Sequence, residues 1–372
     1  MTSSSDNNGC SSGWFTESSV LWPGQKSSLA LEGLRPSSVL YSSQSEFQSI
    51  LVFKSAQHGK VLCLDGVIQF TERDEYCYAE MMSNLPIMSH DNPYSADRPP
   101  SLLGLAQPSK ITTQITVLII GGGDGGVLRE ICRHSHIFKI TLVEIDPTVI
   151  TVTKKYFSHL DKGRPSVFDD PRLEIVHLDA ADFLAEGEHL EEFDVIINDS
   201  SDPCGPSERL YSPAFFEEMY KSLKPNGIVC SQCESMWLNL DFACSMLSAN
   251  ASIFDNVQYA NIMVPTYPSG SIGIICGRKA DSNGNVGCCD RPGWRLGEEV
   301  SEELRYYSGK THRSCFVLPK HIQRRMDKAV RGEEGGEGGY SYDDDDEEEE
   351  EEEEDYDDYN DGKGEGGVCV IS

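Results

Sequence analysis

Between residues 14 and 70, hydrophobic and polar positions alternate in short runs separated by glycine-containing turns. The runs are residues 47–53, 60–64 and 67–70, and the turns are His58-Gly59 and Asp65-Gly66. Runs of β-branched and aromatic residues broken by such turns predict consecutive antiparallel hairpins. We therefore expect a small N-terminal β-hairpin domain over residues 13–71. The Ser- and Asn-rich residues 1–12 before it are expected to be disordered.

The pattern becomes helical at residue 72. Tyr76, Glu80, Met81 and Leu85 recur at helical spacing, which predicts a helix over residues 72–85 that ends before Pro86. Residues 94–114 are rich in Ser, Pro and Thr and interrupt the pattern. We interpret them as a surface loop or insertion.

Continuous apolar runs then alternate with helical segments. Strands are predicted at residues 117–120, 140–143, 173–178 and 193–197, with one helix at 127–135 and another after Asp146. Unbroken apolar runs of this length are typical of strands that are buried on both faces. Strands alternating with helices predict the α/β class, with a Rossmann-like, doubly wound parallel sheet.

Charge separates the body of the chain from its C-terminal tail. The chain has 31 Lys and Arg against 61 Asp and Glu, a net charge of −30. Residues 333–372 hold 20 of these acids and a single Lys, so the body is only moderately acidic. The tail, residues 332–372, is acidic and Gly-rich, and we expect it to be disordered because it cannot bury a core.

The composition argues against several classes of function. Nucleic-acid binding needs clusters of Lys and Arg, whereas an acidic body suits a cationic substrate or partner. No apolar run reaches the roughly 18 residues that span a bilayer, and no signal-peptide pattern is present. The 13 cysteines are irregularly spaced, without Cys and His at zinc spacing, so we expect reduced thiols, no metal and a cytoplasmic location. The last four residues, from Cys369, match a prenylation motif or a chance sequence, and we expect membrane contact only if Cys369 is prenylated.

A glycine loop and two acids mark a candidate nucleoside site. Residues 121–126 read Gly-Gly-Gly-Asp-Gly-Gly between a buried strand and a helix, where a ligand can approach free backbone N–H groups. Glu144 ends the next strand, where a carboxylate can hold both ribose hydroxyls. Asp179 ends the third strand, within reach of an adenine edge. The arrangement favours a nucleoside site over a glycine turn with scattered surface acids.

Three further acids suggest that the bound nucleoside and its co-substrate are cations. Asp124 lies inside the glycine loop, where its charge disfavours the pyrophosphate of NAD(P) and favours a sulfonium or an amine. Asp199 and Asp202 follow the fourth strand, whose carboxyl end opens on the same crevice. One of them can accept a proton while the other holds positive charge, although a helix N-cap with a turn is the alternative.

These segments also carry a family resemblance. The chain resembles the spermidine synthases, which are polyamine aminopropyltransferases, from residue 13 to about residue 320, interrupted mainly at 94–114. The matching segments are Leu-Trp-Pro-Gly-Gln at 21–25, Asp-Gly-Val-Ile-Gln at 65–69, Thr-Glu-Arg-Asp-Glu at 71–75, the loop 121–126 with Val-Leu-Arg-Glu after it, Asp-Ser-Ser-Asp-Pro at 199–203 and Pro-Thr-Tyr-Pro-Ser-Gly at 265–270. Several segments in the same order are a much more specific signal than a glycine loop alone.

The resemblance implies a reaction and a set of site residues. The donor would be decarboxylated S-adenosylmethionine as co-substrate, without a prosthetic group, the acceptor putrescine, and the products spermidine and methylthioadenosine. Donor-binding positions would be Gln48, Asp124, Glu144, Asp179 and Ala180. Acceptor-binding positions would be Tyr78, Asp199, Ser200, Ser201, Asp202 and Tyr267, with Asp199 as the general base. The resemblance also implies a methyltransferase-type catalytic domain over residues 72–331, and homodimers or homotetramers.

Departures from the family pattern leave the substrates open. Ala79 stands where the family usually has Gln, Ala180 replaces a usual Gly, and Met236 falls in a variable part of the acceptor pocket. The related putrescine N-methyltransferases also lack that Gln, but they lose the loop acid too, so Asp124 favours aminopropyl transfer. Its charge would repel the carboxylate of ordinary S-adenosylmethionine. The alternatives are an aminopropyltransferase with another acceptor such as cadaverine or spermidine, a putrescine N-methyltransferase, and a non-catalytic polyamine-binding subunit.

Overall fold

Three β-sheets and the helices around them make up the described part of the chain. The computed structural model describes residues 14–16, 30–32, 36–90, 115–161, 165–203, 205–293, 296 and 298–333. The predictions for residues 1–12, for the insertion at 94–114 and for the tail beyond residue 333 lie outside these ranges.

The N-terminal strands pair as antiparallel hairpins, as predicted. β1 (Trp14–Thr16) pairs with β2 (Ala30–Glu32), and a four-stranded sheet follows in the order β3 (Val39–Gln44), β4 (Ser49–Lys54), β5 (Lys60–Leu64) and β6 (Val67–Thr71). One face of the four-stranded sheet packs on Phe15 and Leu31, and its other face packs on the helix Pro147–Tyr156. The four-stranded sheet is therefore buried on both sides.

The first helix is longer than its sequence pattern predicts. α1 spans Glu75–Ser89, so the predicted start at residue 72 and end before Pro86 are both wrong. Pro86 removes one backbone donor from the helix. All side chains from Cys77 to Ser89 are buried, and this packing on every side offsets the lost hydrogen bond.

Glu80 ties α1 to the C-terminal part of the chain. Its buried carboxylate accepts hydrogen bonds from the backbone N–H groups of Arg305 at 2.9 Å, of Tyr306 at 2.8 Å and of Tyr307 at 2.8 Å. Three donors on one carboxylate compensate for the burial of its charge. Tyr78, two residues earlier on α1, points from a different face of the helix into the cleft described below.

The large sheet confirms the predicted α/β class. It has the order β12-β13-β11-β10-β7-β8-β9, and all neighbours are parallel except that β13 is antiparallel to both β11 and β12. The strands are β7 (Ile115–Gly121), β8 (Ile137–Val143), β9 (Leu173–Val176), β10 (Phe193–Asp199), β11 (Leu223–Cys233), β12 (Asn256–Met263) and β13 (Ser271–Arg278). The helices are α2 (Gly126–Cys132), α3 (Pro147–Tyr156), α4 (Ala180–Leu184), α5 (Pro213–Ser222), α6 (Leu240–Ala251), α7 (Glu298–Glu303), α8 (Gly309–Ser314) and α9 (Lys320–Val330).

Helices cover both faces of this sheet, which makes it doubly wound. Along β7, Ile119 belongs to the core that includes α1 and α2, whereas Leu118 and Ile120 belong to the core that includes α5 and α6. The strand order reverses between β7 and β10, and ligands of such sheets bind outside the carboxyl ends of the strands at that point. Within the ranges given above, no helix is both long and apolar enough to cross a membrane.

Candidate active site

A deep cleft lies at the point where the strand order reverses. The ends of β7, β8, β10 and β11 line it, and so do Gln48 from the turn before β4 and Gln69 from β6 of the four-stranded sheet. The cleft has an empty volume of about 1250 Å³ including its open mouth, which suits a nucleoside with a chain attached. All eleven site residues that the sequence predicts line this cleft: Gln48, Tyr78, Asp124, Glu144, Asp179, Ala180, Asp199, Ser200, Ser201, Asp202 and Tyr267. The structure brings them together, and their individual roles stay predictions.

The glycine loop is held against two of the acids. The N–H of Gly122 donates to the backbone oxygen of Asp199 at 3.2 Å, and a Cβ on Gly121 would come within 2.4 Å of that oxygen. A Cβ on Gly123 would come within 2.6 Å of Glu144 Oε2. Glycine is required at these positions because the loop touches the neighbouring strand ends directly.

Glu144 is buried behind the loop. Its Oε2 accepts from the N–H of Gly123 at 3.0 Å and its Oε1 from the N–H of Asp146 at 2.8 Å. Burial raises the pKa of Glu144 to about 7, and the negative charges of Asp146 and Asp124 add to this, whereas the two N–H groups oppose it. Each carboxylate oxygen keeps a lone pair, so the group can still accept hydrogen bonds from two ribose hydroxyls.

Asp146 positions Gln48, a residue of the cleft, and the sequence analysis missed it. Its Oδ1 accepts from the N–H of Thr148 at 2.9 Å, which caps α3. Its Oδ2 accepts from Ser45 Oγ at 2.6 Å and from Gln48 Nε2 at 3.2 Å. Burial opposes ionisation, but these hydrogen bonds outweigh it and lower the pKa of Asp146. The contact fixes the Gln48 amide beside the cleft, and the only local signal for it is an Asp before Pro at a helix start.

Asp124 presents a carboxylate to the cleft from the start of α2. Its Oδ1 accepts from the N–H of Gly126 at 2.8 Å, and its other oxygen accepts no hydrogen bond from the described part of the chain. Burial raises the pKa of Asp124, while the Gly126 N–H and the charge of Arg129 oppose that rise. A cation bound beside this oxygen would favour the ionised form.

Asp199 lies near this acid at the end of β10. Its Oδ1 accepts from the hydroxyl of Tyr78 at 2.7 Å. Burial raises the pKa of Asp199 well above its ordinary value, and the charges of Asp124 and Glu144 raise it further, against the hydrogen bond from Tyr78. The charge of Asp124 thus raises the pKa values of both Glu144 and Asp199, and a cation bound among these three acids would favour their ionised forms.

Gln232 connects Tyr78 with Asp202 on one side of the cleft and was also missed. Its Oε1 lies 3.2 Å from the Tyr78 hydroxyl, and its Nε2 donates to Asp202 Oδ1 at 3.3 Å. Tyr267 closes this side, with its hydroxyl donating to the backbone oxygen of Gln69 at 2.7 Å. Gln232 lies near the end of β11, next to β10 in the sheet, so the topology rather than a motif brings it into the site.

The remaining predicted residues shape the edges of the cleft. Asp179 caps α4 through the N–H of Ala181 at 2.8 Å and pairs with Arg209 at 3.2 Å, and Ala180 is buried in the first turn. The Ser201 hydroxyl contacts that of Ser207 at 2.9 Å, while the side chain of Ser200 is buried.

Two of the departures noted in the sequence have different surroundings. Met236 is buried in the core with residues of α5 and α6 and does not line the cleft, so the expectation that it belongs to the acceptor pocket is wrong. Ala79 lines a side cavity that opens from the cleft. In the described ranges, no group of three or more His, Cys, Asp or Glu side chains is arranged to hold a metal ion.

Comparison with known proteins matches nearly the whole described chain to one family. The family model "Spermine/spermidine synthase domain" matches residues 75–285, and "Spermidine synthase tetramerisation domain" matches residues 13–72. A spermidine synthase of Dictyostelium discoideum is 40% identical over 316 residues, which is 85% of this chain and 98% of that protein. A spermine synthase of Arabidopsis thaliana is 39% identical over 334 residues, which is 85% of this chain and 84% of the relative.

Solved structures agree with this match. A crystal structure of a spermidine synthase in complex with the transition-state analogue AdoDATO has a TM-score of 0.69 and 29% identity, covering 84% of this chain and 94% of the other. The spermidine synthase of Thermotoga maritima has a TM-score of 0.67, with the same identity and coverage.

Proposed function

The chain belongs to the spermine/spermidine synthase family and is an aminopropyltransferase, and from this premise we propose that it is a spermidine synthase. Its donor is decarboxylated S-adenosylmethionine, its acceptor is putrescine, and it needs no prosthetic group. The observation that carries the proposal is the half-buried Asp124 carboxylate, which belongs to a nucleoside-type glycine loop and lines the same cleft as a second acid, Asp199, whose pKa its charge raises. Complexation of a related spermidine synthase with AdoDATO supports the same donor class.

The two ends of the donor would meet different parts of the cleft. Glu144 would accept hydrogen bonds from the ribose, and Asp179 with Ala180 would border the base between the apolar side chains of Leu178 and Leu210. Asp124 would hold the terminal ammonium of the aminopropyl chain. Holding both ends fixes the carbon beside the sulfonium at the centre of the cleft, which is the main contribution of orientation to the rate.

The acceptor side supplies the proton acceptor. A putrescine nitrogen must lose a proton before its lone pair can attack, and Asp199 would take that proton while Asp202 and Gln232 hold the distal ammonium. The new C–N bond forms as the C–S bond breaks, and the electron pair of the broken bond stays on sulfur, giving neutral methylthioadenosine. Tyr78 donates to Asp199 Oδ1, so it orients this carboxylate.

Spermidine is a second candidate acceptor, which would make the chain a spermine synthase. A further cavity continues from the cleft past Asp202 and Gln232 to Glu234. The cavity offers a longer acceptor additional space beside one more carboxylate. Spermine synthases of Arabidopsis thaliana and Saccharomyces cerevisiae, at 39% identity each, are as similar to this chain as the spermidine synthases are.

Product analysis tests the proposal and separates its rivals. The purified protein is incubated with decarboxylated S-adenosylmethionine and putrescine, and methylthioadenosine and polyamines are measured by chromatography. Equal amounts of methylthioadenosine and spermidine are expected. Parallel reactions replace putrescine with cadaverine or spermidine, and the donor with S-adenosylmethionine.

Each of the other possible results would indicate a different function. Faster conversion of spermidine to spermine would make spermidine the acceptor, and preference for cadaverine would make that diamine the acceptor. S-adenosylhomocysteine would show methyl transfer. Binding of putrescine without turnover of any donor would show a non-catalytic polyamine-binding subunit.

Assembly and location are proposed alongside the reaction. The match of residues 13–72 to a tetramerisation domain supports a homo-oligomer, and light scattering after size-exclusion chromatography distinguishes a homodimer from a homotetramer. A cytoplasmic location and prenylation of Cys369 stay predictions.

A further inference from the structure

A side cavity opens from the main cleft beyond Asp124. It lies between α1, the start of α2 and the loop after β12, and four residues line both spaces: Gln69, Tyr78, Asp124 and Tyr267. The side cavity offers about 20 Å³ to the centre of a water molecule. This is enough for about one water molecule or one methyl group.

The cavity exists because two small residues face each other. A Cβ placed on Gly126 would lie 3.4 Å from the Cβ of Ala79 and 3.4 Å from Asp124 Oδ1. Ala79 and Asp124 therefore both border Gly126, and both line the side cavity. Any larger side chain at position 79 would fill the space next to the group that we assign to the donor's ammonium.

The other charged groups of the cavity wall are already used within the protein. The Asp74 carboxylate accepts from the hydroxyls of Thr71 and Thr266 and from the N–H of Thr266, all within 2.9 Å. Glu75 forms an ion pair with Arg129. These groups have little reason to hold a further cation, because their charges are compensated locally.

The rest of the wall is apolar. Phe70, Val127, Leu160 and Val264 line it, and three of these four are buried. The space thus has the Asp124 carboxylate where it adjoins the cleft, and its wall combines these four apolar side chains with charged groups that are compensated within the protein. An ammonium that carries one small alkyl group matches this arrangement, with its charge at Asp124 and its alkyl group against the apolar wall.

We propose that Ala79 is a specificity-determining residue, and that the side cavity is a subsite for one N-alkyl substituent on the donor's terminal nitrogen. This rests on the proposed function, because it requires the donor's ammonium at Asp124. The substituted nitrogen takes no part in the transfer. The C–S bond breaks and the C–N bond to putrescine forms as before, so the methyl group is carried unchanged into an N-methylated spermidine.

The test compares two donors in three forms of the full-length protein. The donors are decarboxylated S-adenosylmethionine and its analogue with one methyl group on the terminal amine, and kcat/KM is measured for each with putrescine. For the wild type, we expect the kcat/KM values of the two donors to agree within about fivefold, a smaller difference than exclusion of a methylene from a pocket produces. Ala79→Val, which adds two methyl groups, should reduce use of the methylated donor relative to the parent by about tenfold or more, since excluding one methylene from a pocket is worth about 10-fold to 200-fold.

Ala79→Gly is the control of opposite sign. It enlarges the cavity, so kcat/KM for the methylated donor should be retained and kcat/KM for an N-ethyl donor should increase. This result decides the question even if Ala79→Val does not fold. Rejection of the methylated donor by the wild type by about a hundredfold, or an equal loss with both donors in Ala79→Val, would overturn the proposal. If the parent donor also fails to react with the wild type, the proposed function itself is wrong.

Discussion

Replacing Asp124 by Asn tests how the donor is recognised. The amide oxygen of Asp124→Asn can still accept from the Gly126 N–H, which donates to the carboxylate at 2.8 Å, so only the charge is lost. Two unit charges about 4 Å apart at an effective dielectric constant of about 20 attract by about 4 kcal/mol. Part of this is offset because the ammonium leaves water, and a hydrogen bond to a charged group is worth about 1.5 to 3 kcal/mol net. We therefore expect kcat/KM for the donor to fall by about 10-fold to 150-fold.

Steady-state kinetics with the donor varied at saturating putrescine provides the measurement. The loss of charge should also lower the pKa of Asp199, because the charge of Asp124 raises it, so the acid limb of the rate profile should move to lower pH. S-adenosylmethionine should become a stronger competitive inhibitor once its carboxylate is no longer repelled. Asp202→Asn is the matched control, and it should raise the KM of putrescine instead. A donor kcat/KM within about twofold of the wild type would refute the reasoning.

Three further predictions concern other acids. Asp199→Asn should lower kcat by about 10²-fold to 10⁴-fold, as expected for a general base. Calorimetry should find the affinity for the donor within a few-fold of the wild type, and lost donor binding would contradict that role. Glu144 has a pKa of about 7 in the folded protein, above its ordinary value, so its stabilising contribution is complete at low pH and is lost as pH rises through 7. As pH rises from about 5 to about 8, the unfolding free energy of Glu144→Gln should therefore increase relative to that of the wild type, by up to about 3 kcal/mol. Urea unfolding across this pH range measures the difference, and parallel pH profiles for the two proteins would exclude this. Glu80→Gln should lower the unfolding free energy by about 3 kcal/mol, because one amide oxygen cannot accept from all three N–H groups. A change below about 1 kcal/mol in urea unfolding would contradict this.

The sequence predicts most of the fold because its signals are local. Glycine turns at residues 59 and 66 determine the hairpins, and both glycines have positive φ angles, 74° and 81°. Apolar runs determine the buried strands, and the shared direction of parallel strands then brings Glu144 and Asp199 to one edge of the sheet. The predicted strand-end acids therefore meet in one site without any long-range information.

The errors and omissions involve tertiary contacts. Pro86 is tolerated inside α1 because packing surrounds the helix. The rule that a helix ends before proline considers only neighbouring residues and takes no account of that packing. The bond from Gln48 to Asp146 joins residues 98 positions apart, one in the turn between β3 and β4 and the other at the start of α3. Gln232 enters the site only because β11 lies beside β10, and the motif at residues 199–203 carries no information about that neighbour.

The bond network of Glu80 makes the active site depend on the order of protein synthesis. Its three N–H donors are made about 225 residues after it. At about 5 to 20 residues per second, a ribosome needs roughly 10 to 45 s to reach them. During that time the Glu80 carboxylate lacks these three donors, and α1, which also carries Tyr78, lacks this anchor. A nascent chain that already contains every predicted site residue thus still lacks the contacts that anchor α1, and it gains them only when residues 305–307 have been added.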